Sequence, residues 1–363
     1  LEVKFALRLA VWLLLLVFVL SLSSCAGLAL PPEQLYPQLA ASSVYTGEGV
    51  IVNIAPTPSP APSLLPAEVP TLRPTVTPII PPTAVPTETP EPAETAATAA
   101  TAVASLEQSC PETKGQVLDG YFKSAVIGRR QHYFIYLPPC YDGNPDVRYP
   151  VVYLLHGIPM DERHWLDEGI VAWADKLFGS GELPPFIIVM PHGDYSLYTD
   201  TSGGNKSFEG VFVNELIPAI DGRFRTLADA KHRAIGGISR GAVWALEIAF
   251  THPELFDAVG GHSPALSVNR ATAEYDPAVL AQTAPIDKLR IFLDAGDRDW
   301  TRAEAQALSK ILAERYLPHT YTVGQGDHDY PYWATQVEAY LRFYGAPWKA
   351  EKAIEQLLAE QAQ

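Results

Sequence analysis

The tightest constraint on this chain is the run Gly237-Ile238-Ser239-Arg240-Gly241, which follows the strand-like residues Arg233-Ala234-Ile235-Gly236 and precedes an apolar helical stretch from Ala242 to Phe250. A strand that reverses into a helix within one or two residues needs glycines beside the turn, which has no room for side chains. The apex residue then projects from the strand end, and here it is a serine. In that setting a five-residue pattern that is weak by itself marks a nucleophile turn.

The surrounding sequence supplies the rest of such a fold. His132–Leu137 reads as a strand stopped by Pro138-Pro139, and Val151–Leu155 as a second whose unbroken apolar character predicts burial on both faces. Ile187–Met190, Arg233–Gly236, Asp257–Gly260, Leu289–Leu293 and His319–Val323 read as further strands, with helical spacing over Phe208–Ile220, Ala303–Ala313 and Tyr332–Phe343. Trp348–Gln361 reads as one more amphipathic helix, with Ala350, Ile354, Leu357 and Leu358 on a face expected to pack on the domain. Strands alternating with helices predict an α/β fold with a mostly parallel sheet covered on both faces. The site then lies outside the C-terminal ends of the strands.

The first 105 residues have another character. Residues 1–24 carry Lys4 and Arg8, an apolar run from Leu9 to Leu20, and small residues before Cys25. This is the layout of an export signal, and the apolar run is short for a membrane span. Leu22-Ser23-Ser24-Cys25 resembles the bacterial lipoprotein box, which implies cleavage before Cys25 and lipid on its thiol; the alternatives are an ordinary secretory signal or an uncleaved anchor. Residues 25–49 are expected to be a short disordered segment and 50–105 a Pro/Thr/Ala-rich linker, with 13 prolines from Pro56 to Pro92. Extended at about 3.1 Å per residue, such a tract reaches on the order of 150 Å. Residues 106–363 are the predicted catalytic domain. The expected location is outside the cell, with the chain held to the bacterial membrane by lipid.

With Cys25 assigned to lipid, Cys110 and Cys140 remain as an internal pair in an exported chain, read as a disulfide, or alternatively as two partly buried thiols. The chain carries 41 acidic against 26 basic side chains, which gives no footing for nucleic acid. No paired metal motif, phosphate-cradling loop or dinucleotide fingerprint occurs, so no cofactor is expected, and His156 and His192 are read as loop residues rather than zinc ligands.

Residues 120–345 resemble the esterase branch of the α/β-hydrolase superfamily, which includes enterochelin, feruloyl and acetylxylan esterases, S-formylglutathione hydrolases and secreted mycolyltransferases. The marks are Leu155-His156-Gly157 followed by Trp165, Met190-Pro191-His192-Gly193, the Ser239 turn, Gly296-Asp297-Arg298-Asp299, and Gly326-Asp327-His328-Asp329-Tyr330 followed by Trp333. The resemblance implies a serine carboxylic ester hydrolase. An ester hydrolase needs a hydroxyl that loses its proton as it attacks and an imidazole to take it. Ser239 and His328 fill those roles in the chain order of this fold. Asp294, Asp297 and Asp299 all follow one strand, and the resemblance assigns the acid to Asp299, with Asp297 as competitor. The backbone amides of Ile158 and Arg240 are the expected oxyanion donors.

Substrate clues are fewer. Trp165, Tyr195, His262, Trp300 and Trp333 lie near the expected catalytic loops and are candidates to line the pocket, against a share of them serving as packing. The leading expectation is hydrolysis of a small or polysaccharide-borne ester, for example acyl or feruloyl groups. The alternatives are acyl transfer to a sugar or lipid hydroxyl and a catalytically silent binding module.

Overall fold

The computed structural model describes residues 112–361 apart from 144 and 201, all of which fall in the compact unit Gly49–Gln363. β3 (Val151–Leu155) shows how its sequence places the sheet. All five residues are buried, with Val151, Tyr153 and Leu155 in one apolar layer and Val152 and Leu154 in the other. A strand covered on both faces has no reason to alternate.

The sheet has eight strands in the order β1-β2-β4-β3-β5-β6-β7-β8. The others are β1 (Gln116–Lys123), β2 (Arg130–Leu137), β4 (Ile187–Pro191), β5 (Arg233–Ile238), β6 (Ala258–His262), β7 (Arg290–Gly296) and β8 (His319–Gly324). β2 is antiparallel to both β1 and β4, while β3 through β8 are parallel. The helices are α1 (His164–Asp167), α2 (Ile170–Gly179), α3 (Tyr195–Tyr198), α4 (Phe208–Val211), α5 (Ile217–Arg223), α6 (Arg240–Thr251), α7 (Pro277–Thr283), α8 (Arg302–Glu314) and α9 (Tyr330–Gln361). This is an α/β fold with a mixed, mostly parallel sheet flanked by helices, as the alternation of elements predicts.

Three elements differ from expectation. β1 is a strand that sequence pattern does not reveal, because six of its eight residues are exposed at the sheet edge. The predicted helix Phe208–Ile220 runs on to Arg223 through a wider π turn at Phe212–Leu216. The two predicted C-terminal helices are one, α9, continuous through Pro347. Trp348 anchors the junction, donating its indole N–H to the Lys231 carbonyl at 3.0 Å and packing edge-on to Phe186. Beyond it Ile354, Leu357 and Leu358 are exposed rather than packed on the domain.

The signal, Cys25, the linker and Cys110 lie outside the described residues. Of the expected Cys110–Cys140 pair, Cys140 is the one cysteine among the described residues and is disulfide-bonded, while the assignment of Cys110 as its partner falls on a residue outside them. No helix among the described residues is long and apolar enough to cross a membrane.

Candidate active site

Ser239 sits between the end of β5 and the start of α6 with φ 57° and ψ −114°. A serine in this region is strained, at a cost of about 1–3 kcal/mol, so the surrounding packing must enforce it. The glycines do so. A Cβ on Gly237 would strike the backbone of Gly241 and Ala242, and one on Gly241 would strike the carbonyl oxygens of Leu155 and His156. The Ser239 amide donates to the His262 carbonyl at 2.9 Å, which ties the turn to the neighbouring strand β6.

The hydroxyl of Ser239 lies 2.9 Å from Nε2 of His328. On the other side of the ring, Nδ1 of His328 lies 2.9 Å from Oδ1 and 3.1 Å from Oδ2 of Asp299. With the imidazole proton on Nδ1, Ser239 donates to His328 and His328 donates to Asp299. Asp299 Oδ1 also accepts the amide and the hydroxyl of Thr301, both at 2.8 Å. Burial pushes the Asp299 carboxyl up, but hydrogen bonds from His328, Ser263 and the Thr301 amide outweigh it and hold the pKa below the ordinary value.

Asp297 and Asp294 take other places. Asp297 is exposed and accepts the Gly326 amide at 2.9 Å, which shapes the loop carrying His328. Asp294 is fully buried, accepting from Nδ1 of His262 at 2.7 Å and from the hydroxyls of Tyr332 at 2.7 Å and Tyr340 at 2.9 Å. Of the three carboxylates after β7, Asp299 alone reaches His328 among the described residues.

The turn after β3 brings Gly157, next to Ile158, against the serine. A Cβ on Gly157 would stand 3.3 Å from the Ser239 Cβ. The Arg240 amide opens α6 directly after the serine. These are the two backbone donors anticipated for an oxyanion. The Arg240 side chain donates to the Val268 carbonyl at 3.1 Å.

His156 is structural. Its Nδ1 donates to the Gly157 carbonyl at 2.8 Å and its Nε2 accepts the Gly193 amide at 2.9 Å, and burial lowers its pKa to about 4. His192 shares Glu162 with His132 through contacts of 2.6 and 2.5 Å. Among the described residues no group of three or more His, Cys, Asp or Glu is arranged to hold a metal ion.

The five candidate pocket residues divide. Trp165, His262 and Trp333 are buried, which corrects the expectation that they meet substrate. Each has its polar end satisfied inside: Trp165 donates to the Leu155 carbonyl at 3.0 Å, His262 bonds Asp294 and the Tyr344 hydroxyl, and Trp333 donates to Ser263 Oγ at 2.9 Å. Tyr195 and Trp300 are 70% and 50% exposed. The Trp300 ring lies 4.8 Å from that of His328, so it flanks the site directly. Tyr330, 38% exposed, adds another aromatic surface nearby.

Two contributors have roles that the sequence does not reveal: Ser263 reads there only as a pocket-lining neighbour of His262, and His164 carries no signal. Ser263, with φ 48°, is fully buried and bonds both Asp299 and Trp333. His164 is buried and accepts the Gly157 amide at Nδ1, 3.0 Å away. Neither sits at a spacing that ties it to the serine; only the fold brings them there.

Residues 124–344 match the family model described as Putative esterase. The chain is 35% identical over 149 residues to an endo-1,4-beta-xylanase/feruloyl esterase of Xylanibacter ruminicola, covering 39% of this chain and 20% of the relative. It is 31% identical over 153 residues to an esterase of Mycobacterium tuberculosis, covering 41% and 32%. In both cases the chain spans less than two thirds of the relative's length. A ferulic acid esterase structure aligns with a TM-score of 0.58 and 25% identity over 64% of this chain and 99% of its own. S-formylglutathione hydrolase of Staphylococcus aureus aligns at 0.54 and 20% identity, over 63% and 98%, a likeness of fold. The family match spans most of the sheet and both ends of the Ser239–His328–Asp299 row, and the chain belongs to the Putative esterase family, a serine-hydrolase-type member of the α/β-hydrolase superfamily.

Proposed function

We propose that the chain hydrolyses a carboxylic ester through an acyl-enzyme on Ser239. The observation that carries this reading is the continuous row from Ser239 Oγ through His328 to Asp299, placed on a strained turn at the end of β5. His328 Nε2 takes the hydroxyl proton as Oγ attacks the carbonyl carbon, and returns it to the departing alcohol. Asp299 holds the ring with its other proton on Nδ1 and stabilises the imidazolium without taking that proton. The amides of Ile158 and Arg240 receive the negative charge on the carbonyl oxygen. Each such donor contributes about 3 kcal/mol in the transition state. Water, activated by His328 in the same way, then frees the acid.

The substrate class follows from the relatives and the rim of the site. Two named relatives are feruloyl or ferulic acid esterases, and Trp300 offers an exposed aromatic face beside His328. An ester of an aromatic acid, borne on a polysaccharide, fits both. Export and lipid attachment at Cys25 belong to this reading and rest on the pattern of residues 1–25 alone.

The test is hydrolysis of p-nitrophenyl acetate, butyrate and octanoate and of methyl ferulate by the chain and its Ser239→Ala variant. Turnover that vanishes with Ser239, with methyl ferulate among the preferred esters, is the expected result. Equal rates from both proteins would overturn the assignment.

A further inference from the structure

We propose that His164 is a positioning residue for the oxyanion side of this site, pinning the Gly157-Ile158 turn against Ser239. The proposal rests on the ester-hydrolase reading above. It starts from a buried pair of ionisable groups that the proton path through Ser239, His328 and Asp299 does not use. The side chains of His164 and Glu168 are both fully buried, one helical turn apart.

The hydrogen bonding dictates the state of the ring. His164 Nδ1 accepts the Gly157 amide at 3.0 Å, and a ring nitrogen that accepts an amide proton carries none itself. The imidazole is therefore neutral with its proton on Nε2, which stands 3.4 Å from Glu168 Oε1 with no hydrogen bond between them. Burial favours the same state, lowering the His164 pKa to about 4 and raising that of Glu168 to about 8.

The placement explains what the ring does. Because the Gly157 amide is committed to His164, the next amide, that of Ile158, is the one this turn can offer to an oxyanion. A Cβ on Gly157 would lie 3.3 Å from the Ser239 Cβ and 3.5 Å from the His164 ring, so turn, serine and imidazole are in mutual contact. The same ring packs edge-on against Tyr330 at 5.0 Å and Trp333 at 5.5 Å, and Trp333 packs on His328 at 5.0 Å. One imidazole thus sets the oxyanion turn relative to the loop that carries the base. Preorganised donors contribute most when they need not move during reaction.

The experiment compares His164→Leu, which removes the acceptor, with His164→Asn, whose Oδ1 stands near the place of Nδ1, in the full chain. Expected for His164→Leu is a fall in kcat of at least about tenfold with KM within about twofold of wild type, and for His164→Asn recovery of most of the loss. In the unsubstituted chain, 15N-histidine NMR should find His164 protonated on Nε2 alone from pH 5 to pH 8. A folded His164→Leu protein with wild-type kcat, an Asn variant no better than the Leu variant, or a proton on Nδ1 would each overturn the proposal. Should His164→Leu not fold, the tautomer and the Asn variant decide. Failure of the hydrolase reading looks different, because wild type and Ser239→Ala would then be equally inactive.

Discussion

Ser263 accepts the indole N–H of Trp333 at 2.9 Å, which directs its own hydroxyl proton to Asp299. Ser263 is fully buried and left-handed, so the bond is built into the end of β6 rather than made by a mobile side chain. Removing the hydroxyl leaves the indole without an acceptor and the carboxylate one donor short. Ser263→Ala should lower kcat by roughly 5- to 30-fold, in line with about 1–2 kcal/mol for an unmet buried hydrogen bond. Trp333→Phe should produce a smaller loss, read in the same assay.

The three aspartates after β7 are separable by substitution. Asp299→Asn cannot hold His328 with its proton on Nδ1 and should reduce kcat by about 10³–10⁴ with the fold intact by circular dichroism. Asp297→Asn weakens the cap on the Gly326 amide and should cost less than about tenfold. A reversal of that order would move the acid to Asp297.

Trp300 lies half exposed beside His328. Trp300→Ala should raise KM for methyl ferulate by about 3- to 10-fold, the scale of one aromatic pair, while KM for p-nitrophenyl acetate changes less. Equal effects on both esters would assign the ring to loop packing.

Gly241 has no room for even one methyl group, since a Cβ would meet the carbonyl oxygens of Leu155 and His156. Backbone at both sides cannot yield as a side chain can. Gly241→Ala should therefore destabilise the fold by about 3 kcal/mol or more, seen as a lowered midpoint in urea.

Glu247 is fully buried in α6, and burial raises its pKa to about 10. Between the ordinary carboxyl pKa of 4.5 and that value, the unfolded chain has released the proton that the folded chain retains. Fewer protons bound in the unfolded state make stability fall as pH rises. Glu247→Gln has no such group, so it should gain on wild type by about 4 kcal/mol between pH 5 and pH 8 in urea unfolding, about 1.4 kcal/mol per pH unit. A constant difference across that range would show that Glu247 is ionised in the fold.

Local chemistry is strong wherever the sequence alone determines the outcome. The Val151–Leu155 run is apolar at every position and could only be a strand covered on both sides, and Gly237 and Gly241 frame Ser239 so tightly that strand, turn and helix follow from five residues. Ser239 and His328 were legible because each lies at the end of a recognisable strand or in a glycine-bearing loop, whereas Asp299 was singled out by the family resemblance. Tertiary structure alone decided which carboxylate reaches His328, because three aspartates within six positions differ only in where the chain turns. It also decided that Trp165, His262 and Trp333 face inward while Trp300 faces the site. An aromatic residue's composition does not say which of its surroundings will satisfy its polar end. The roles of Ser263 and His164 are tertiary for the same reason: a hydrogen bond between groups 36 residues apart, Ser263 and Asp299, exists only once the sheet has aligned the ends of β6 and β7.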